Sequence, residues 1–179
     1  MILIGESDTS NTRKVYLPKG KWFDFYNRSQ VYQGVSEITL TVPLDHIPVF
    51  VKSNSFYISG KMLEGNSRLW NSGENGKNLN IYAFPGESGD TVIFNYVDYS
   101  DNNKEKNFLM SKDEDIIKIS TPQLTMKAVY VIRADAGAKE VLVDNEKIKW
   151  EWDNAYKAVI FHLEKGKGYN IELTLNSKE

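Results

Sequence analysis

The chain has 179 residues, of which 41% are hydrophobic and 26% charged, a composition typical of folded globular proteins and not of disordered ones. Lys and Arg total 22 against 24 Asp and Glu, which gives a formal net charge of −2, and no stretch gathers enough basic residues to neutralise a nucleic-acid backbone. The absence of cysteine excludes disulfides and thiolate metal sites, and without a membrane-spanning run or signal segment we expect neither a membrane nor a nucleic acid as partner.

The first third of the chain has the residue alternation of half-buried β-strands. Apolar and polar residues alternate through 13–17 and 37–42, where β-branched and aromatic residues are frequent. A Pro-Lys-Gly sequence at residues 18–20 stands between the first of these segments and an aromatic one, where it predicts a tight turn. We therefore expect a first β-sandwich over residues 1–60.

Residues 61–77 differ in character from the segments on either side. The stretch from Gly60 to Asn80 is rich in glycine and asparagine and lacks apolar alternation. Such a composition is typical of a linker or a long exposed loop. The sequence therefore predicts that residues 61–77 separate two domains.

A second series of strand patterns fills residues 78–179. An alternating segment at 91–97 follows a Pro-Gly turn signal. The C-terminal end contains four further strand patterns separated by turn signals: residues 139–143, 147–152, 157–163 and 169–175. We expect these four to form an antiparallel meander. Since no long segment has helical periodicity, the predicted fold is all-β, with two antiparallel β-sandwiches in tandem and very little helix.

The residue types that catalysis and metal binding require are scarce. The chain has two histidines, His46 and His162, which lie far apart in the sequence, and it has no Gly-x-Ser-x-Gly elbow and no phosphate-binding loop. The segment at 98–103 is rich in oxygen atoms but lacks the ligand spacing of a calcium loop, so a polar turn is the favoured interpretation. We therefore expect no catalytic residue, no metal site and no cofactor.

Three tryptophans are candidates for contact with a sugar, because aromatic rings stack on the apolar faces of sugar rings. Trp150 and Trp152 lie two residues apart and share one face of a predicted strand with Ile148, which favours a core position for both. Trp70 lies in the glycine-rich stretch without a periodic partner, and it is the better candidate for an exposed contact.

Two blocks of sequence resemble a known family. The first reads Arg-Lys-Val-Tyr-Leu-Pro-Lys-Gly-Lys-Trp-Phe-Asp-Phe-Tyr at residues 13–26, and the second reads Pro-Leu-Asp-His-Ile-Pro-Val-Phe-Val-Lys at residues 43–52. Both resemble the region just after the catalytic barrel in glycoside hydrolase family 31, which includes α-glucosidases and α-xylosidases. A looser similarity begins at Leu79, where Leu-Asn-Ile-Tyr-Ala-Phe-Pro-Gly matches a strand and turn of the family's distal domain.

The resemblance implies an eight-stranded barrel upstream with two catalytic aspartates, followed by a proximal and a distal β-sandwich. A barrel of this kind needs about 250 residues, so the family's nucleophile and acid/base have no matching positions here. Asp24 follows Trp-Phe as in the family's nucleophile motif, but Phe25 and Tyr26 stand where Met-Asn is expected, and no catalytic role is carried over to it. Met1 falls at the junction with the barrel, which suggests an expressed fragment.

The chain departs from the family pattern at two further places. Ser53 and Asn54 stand where the family has a glycine, and residues 95–99 read Asn-Tyr-Val-Asp-Tyr where the distal domain has Tyr-Glu-Asp-Asp-Gly. The segment at 95–99 therefore lacks the acidic motif of the distal domain.

The function that the resemblance implies is non-catalytic support of the barrel of an α-glucosidase-like enzyme, a retaining glycoside hydrolase of carbohydrate metabolism. The chain alone would not be an enzyme, and the barrel would be its partner. An alternative is a carbohydrate-binding module that holds an oligosaccharide near the barrel through Trp70, Trp150 or Trp152. A third possibility is an oligomer interface formed by an exposed apolar face. The sequence indicates neither the substrate of the parent enzyme nor its cellular compartment.

Overall fold

The computed structural model describes residues 2–3, 11–27, 29–43, 45, 47–60, 78–98 and 101–176. The regular structure of these residues consists of β-strands with no α-helix, which confirms the predicted all-β class. Within the same residues, accordingly, no helix is long and apolar enough to span a membrane. The chain divides into two compact units, Met1–Ser53 and Asn54–Glu179.

The described residues of the first unit form six strands in two sheets. The strands are β1 (Ile2–Leu3), β2 (Thr12–Leu17), β3 (Lys21–Asp24), β4 (Val31–Gln33), β5 (Ser36–Thr41) and β6 (Val49–Lys52). The first sheet has the strand order β1-β6-β3-β4, and β2 and β5 form the second as an antiparallel pair.

A small core occupies the first unit. Alternation along β2 buries Val15 and Leu17, and these side chains form a cluster with Trp22 of β3 and Phe50 of β6. Because strand side chains point to opposite faces in turn, one apolar residue in every two is enough to cover one face of β2. The predicted period-two pattern at 13–17 thus gives the core face of the first unit.

The turns of the first unit depend on a glycine. The amide of Gly34 donates to the carbonyl oxygen of Gly20 at 2.7 Å. A Cβ atom at Gly34 would lie only 1.8 Å from the carbonyl oxygen of Pro18, so the backbone segments can approach this closely only without a side chain. The indole Nε1 of Trp22 donates to the same Pro18 oxygen at 2.7 Å, which fixes the turn that the Pro-Lys-Gly sequence predicts.

The second unit is a sandwich of a five-stranded and a six-stranded sheet. Its strands are β7 (Ser55–Ser59), β8 (Asn78–Phe84), β9 (Thr91–Asp98), β10 (Lys104–Asp113), β11 (Ile116–Ser120), β12 (Lys127–Arg133), β13 (Ala138–Val143), β14 (Glu146–Lys147), β15 (Glu151–Asp153), β16 (Ala158–Leu163) and β17 (Asn170–Leu175). The sheet orders are β15-β16-β12-β8-β7 and β14-β13-β17-β11-β10-β9. All strand pairs are antiparallel except β8 with β12, which are parallel.

The core of the second unit lies between these sheets. The largest fully buried side chains include Ile81 and Tyr130 from the five-stranded sheet and Phe108, Met110 and Ile119 from the six-stranded sheet. Each inner face is apolar at alternate residues, as expected for two sheets packed face to face.

The boundary between the units lies earlier than the sequence patterns place it. Sequence patterns assign residues 1–60 to the first domain and 78–179 to the second, whereas the units divide between Ser53 and Asn54. The physical reason is that β7 (Ser55–Ser59) pairs antiparallel with β8 and completes the five-stranded sheet. The predicted linker at 61–77 lies outside the described residues.

The predicted C-terminal meander is confirmed at its first two hairpins and wrong at its last connection, and its strands are divided between two sheets. β13 pairs with β14 and β17 in the six-stranded sheet, whereas β15 pairs with β16 in the five-stranded sheet. The predicted strand at 147–152 is divided, because residues 148–150 leave one sheet before β15 joins the other. The Gly-Lys-Gly segment at 166–168 therefore connects two different sheets and is not a hairpin turn.

Candidate functional site

Asp24, which follows Trp-Phe in the block at 13–26, closes a turn of the first unit. Its Oδ1 accepts hydrogen bonds from the backbone amides of Tyr26 and Asn27, both at 2.8 Å. A carboxylate that binds two successive amides closes a turn at the end of β3, as aspartate commonly does.

A buried ion cluster lies at the β9–β10 hairpin of the second unit. The ammonium group of Lys106 lies 2.7 Å from Asp98 Oδ2 and 3.0 Å from Asp101 Oδ2. The side chains of Lys106 and Asp98 are only 8% and 2% exposed. The Thr125 hydroxyl also donates to Asp98 Oδ2, at 3.3 Å. Two described residues of the polar turn that the sequence predicts at 98–103, Asp98 and Asp101, thus both pair with Lys106.

The protonation states of this cluster are mutually stabilised. Burial alone would lower the pKa of Lys106, but hydrogen bonds to Asp98 and Asp101 outweigh burial and raise it. The pKa of Asp101 is lowered, chiefly by its hydrogen bond from Lys106 and then by the one from Lys104. Burial, followed by the charge of Asp98, raises the pKa of Tyr96. Within the described residues, no group of three or more His, Asp or Glu side chains is arranged to hold a metal ion.

An open pocket of about 260 Å³ lies on the six-stranded sheet of the second unit. Its lining combines aliphatic side chains with hydroxyl, amide and charged groups: Leu109, Ser111, Lys118, Ile119, Ser120, Leu142, Asn145, Asn170, Ile171 and Glu172. Lys118 Nζ lies 3.2 Å from Glu172 Oε2, so the two charges in the pocket pair with each other. This pocket can offer hydrogen-bond donors and acceptors above an aliphatic floor to an uncharged ligand. Sequence analysis did not identify it, because its residues come from four strands that pair only in the folded sheet.

Two of the three tryptophans predicted as sugar contacts, Trp150 and Trp152, lie in the part of the chain that the structure describes. Trp150 and Trp152 are partly buried and pack against the core of the second unit, with Ile148 beside them. Trp152 lies over Gly137, where a Cβ atom would meet its ring at 3.6 Å. Trp70 lies outside the described residues. The packing of Trp150 and Trp152 supports the core interpretation, and neither residue lines the pocket on the six-stranded sheet.

One of the two histidines lies within the described residues. His162 lies on β16 opposite Val129 of β12 and is exposed to solvent. His46 lies outside the described residues.

Comparison with known families identifies the first unit. Residues 4–56 match the model of the glycosyl hydrolase family 31 C-terminal domain. Both blocks on which the sequence resemblance depends, 13–26 and 43–52, lie inside this match. The resemblance to family 31 that the sequence predicts is therefore confirmed over residues 4–56. No curated protein sequence matches the chain.

Solved structures share the fold over nearly the whole chain. A family 31 dextranase from Flavobacterium johnsoniae, complexed with glucose, is 22% identical, with a TM-score of 0.78 over 96% of this chain and 25% of its own. The cycloalternan-forming enzyme from Listeria monocytogenes, complexed with a pentasaccharide substrate, is 19% identical, with a TM-score of 0.77 over 94% of this chain and 17% of its own. An α-1,4-glucan lyase from Gracilariopsis lemaneiformis is 15% identical, with a TM-score of 0.67 over 93% of this chain and 21% of its own. The chain thus spans a quarter or less of the structures that it resembles.

Proposed function

We propose that this chain is the non-catalytic C-terminal region of a family 31 glycoside hydrolase and that it stabilises the catalytic barrel of that enzyme. The proposal rests on the structural roles of the residues that match the family model. Val15, Leu17, Trp22 and Phe50 form the core of the first unit, and Asp24 closes a turn. The segment that identifies the family therefore builds a scaffold. The barrel would hydrolyse α-glycosidic bonds, as an α-glucosidase-like enzyme does.

The surface of the first unit supports a packed partner. Five of its large apolar side chains are 40–65% exposed: Tyr16, Tyr26, Val31, Val35 and Ile47. Removing apolar side chains of this size from water is favourable, so a partner packed over them would gain stability. A barrel from the same polypeptide would cover such residues without the entropic cost of bringing two molecules together.

The coding sequence upstream of Met1 tests the proposal first. We expect an in-frame barrel with two catalytic aspartates, and a gene without one would overturn the proposal. The barrel should then be produced with and without this chain, and its thermal unfolding compared. We expect a lower melting temperature without the chain. An equally stable and active barrel would contradict the supporting role.

A turnover assay on the purified chain tests its non-catalytic character. We expect no release of nitrophenol from p-nitrophenyl α-glucoside, and no hydrolysis of maltooligosaccharides or isomaltooligosaccharides. Activity that is abolished by Asp24→Asn but retained in Asp113→Asn would overturn the proposal. Asp113 is a suitable control because it is an exposed aspartate at the end of β10.

Carbohydrate binding is a second candidate function, and the pocket on the six-stranded sheet favours it. Ser111, Ser120, Asn145 and Asn170 supply hydroxyl and amide groups that suit a neutral, hydroxyl-rich ligand. Isothermal titration with maltooligosaccharides, isomaltooligosaccharides and xyloglucan fragments tests this function. Binding should be weakened by Glu172→Gln, which alters the pocket, and unaffected by Glu105→Gln elsewhere on the surface. The absence of saturable heat would refute it.

A further inference from the structure

The edges of the two sheets in the second unit are protected unequally. β14 has two residues and β15 has three, and both edges carry charged side chains. Short, charged edge strands resist pairing with another chain. β7 is a third edge, with five residues and a serine at each end. β9, the fourth edge, has eight residues, and its segment Thr91–Val97 contains no charge, no proline and no glycine.

The hydrogen-bonding pattern shows which backbone groups of β9 point away from its sheet. Among the described strands β9 pairs with β10 alone, with Thr91 opposite Ser111 and Asp98 opposite Lys104. One position earlier, the amide of Lys112 donates to the carbonyl oxygen of Asp90. In an antiparallel ladder alternate residues bond to a given neighbour. The even-numbered residues of β9 therefore bond to β10, and the odd-numbered ones direct their amides and carbonyl groups outward.

A side-chain contact supports this assignment. The Asn54 Nδ2 amide donates to the carbonyl oxygen of Thr91 at 3.1 Å, as expected if that oxygen points away from β10. Asn54 thus satisfies the outward carbonyl at the start of β9. The outward backbone groups of Ile93, Asn95 and Val97 lie along the remainder of the edge.

We propose that β9 pairs antiparallel with β9 of a second copy of this chain, in a register that places Asn95 opposite Asn95 of the other copy. Three residue pairs would then exchange two hydrogen bonds each, and the two six-stranded sheets would become continuous. In this register the two copies present the same strand to each other, as a two-fold symmetric dimer requires.

The side chains fit this register on both faces. On the outer face Ile93 would lie opposite Val97, and these are both β-branched. On the inner face Phe94 would lie opposite Tyr96, and both are aromatic. Aromatic and β-branched pairs stabilise antiparallel strands when they lie directly opposite each other. No charged residue within 93–97 opposes another, and Ile93, which is 65% exposed, would lose contact with water.

A single position provides a sharp test, because Asn95 lies on the two-fold axis. Asn95→Lys places two like charges directly opposite each other, and so does Asn95→Glu. Sedimentation equilibrium of the unmodified chain should show a reversible dimer of twice 20.5 kDa. Each charged variant should raise the dimer dissociation constant about fivefold. An equimolar mixture of the two variants should recover dimers, because lysine then faces glutamate.

Asn107→Lys is the matched control. Asn107 lies opposite Asn95 on β10 and is also exposed, so this variant adds the same charge to the same face one strand away from the edge. It should leave the dissociation constant unchanged. Asn95→Pro removes an outward amide that β10 does not use, and it should abolish the dimer while leaving the circular dichroism spectrum unchanged.

Several results would overturn the proposal. A monomer over the full accessible concentration range is one, and equal weakening by Asn95→Lys and Asn107→Lys is another. Failure of the lysine and glutamate variants to form mixed dimers would reject the register centred on Asn95.

Discussion

Replacing Lys106 with methionine should destabilise the second unit strongly. The lysine ammonium is buried and lies within 3.0 Å of two carboxylates, and one of these, Asp98, is itself only 2% exposed. Methionine keeps most of the aliphatic side chain but removes the positive charge that balances Asp98. Breaking a buried ion pair by removing one partner costs about 3 kcal/mol or more. We expect the free energy of unfolding to fall by about that amount.

Lys104→Met is the control for this prediction. Lys104 lies 3.1 Å from Asp101 in the same hairpin, but its side chain is 64% exposed. An exposed ion pair contributes about 0.5 kcal/mol. Urea unfolding followed by amide signals of β9 and β10 measures both variants. If Lys106→Met is as stable as Lys104→Met, the reasoning about the buried pair is refuted.

A double-mutant cycle separates the pair from its surroundings. Asp98→Asn alone leaves the Lys106 ammonium beside a neutral amide, and we expect the free energy of unfolding to fall by a similar amount. The combined variant Asp98→Asn with Lys106→Met removes both charges, so its loss should be smaller than the sum of the single losses. Strict additivity would show that Lys106 and Asp98 do not interact energetically.

The contribution of the Lys106 ion pairs to the free energy of unfolding should also depend on pH in a defined direction. Because the pKa of Lys106 is raised by folding, its contribution is complete below the usual lysine range and is lost as the pH rises through the raised value. The pKa of Asp101 is lowered, so its contribution is present above the usual aspartate range and is lost as the pH falls through the lowered value. The stability difference between wild type and Lys106→Met should therefore be constant near neutral pH and shrink at both extremes. A difference that is largest in acid would contradict this assignment.

Three further substitutions test the packing of the two units. Tyr130→Phe should leave the free energy of unfolding unchanged or raise it by about 1 kcal/mol in thermal unfolding, because the buried hydroxyl makes no hydrogen bond of normal geometry to any described residue; a large loss of stability would contradict this expectation. Gly34→Ala should destabilise the first unit, since its new Cβ atom would collide with the Pro18 carbonyl oxygen, and wild-type amide spectra and stability would contradict that expectation. Trp150→Ala should lower the free energy of unfolding of the second unit by about 3 kcal/mol in urea and leave any oligosaccharide binding intact. Loss of binding without loss of stability would indicate that Trp150 contacts the sugar.

Local sequence patterns predicted the strands well but not their partners. The alternation at 13–17 and 91–97 appears as β2 and β9, since the period of two reports directly which face of a strand is covered. In the C-terminal meander, the turn signals at 144–145 and 153–154 do mark the β13–β14 and β15–β16 hairpins. They carry no information about which sheet receives each hairpin, and the segment at 166–168 connects two different sheets. The crossing at 148–150 depends on both sheets being present.

Local residue patterns did not identify the buried cluster or the pocket, and the reasons differ. Lys106 shares the inward face of β10 with Phe108 and Met110, so its alternation did contain a signal that a lysine would be buried. Its partner Asp98 could be identified only after the β9–β10 register was known. The pocket needs four strands that are distant in sequence, and no local pattern specifies their order.

The position of β17 has a consequence for how the chain folds during synthesis. Asn170–Leu175 is the last described strand to leave the ribosome, yet it lies inside the six-stranded sheet, between β13 and β11. The earlier strands of that sheet must therefore wait, with a gap at its centre, until nearly the whole second unit has been translated. The first unit meets no such delay, because its strands are complete by Lys52. The nascent chain should thus carry a finished first unit while the second is still open and vulnerable to proteases.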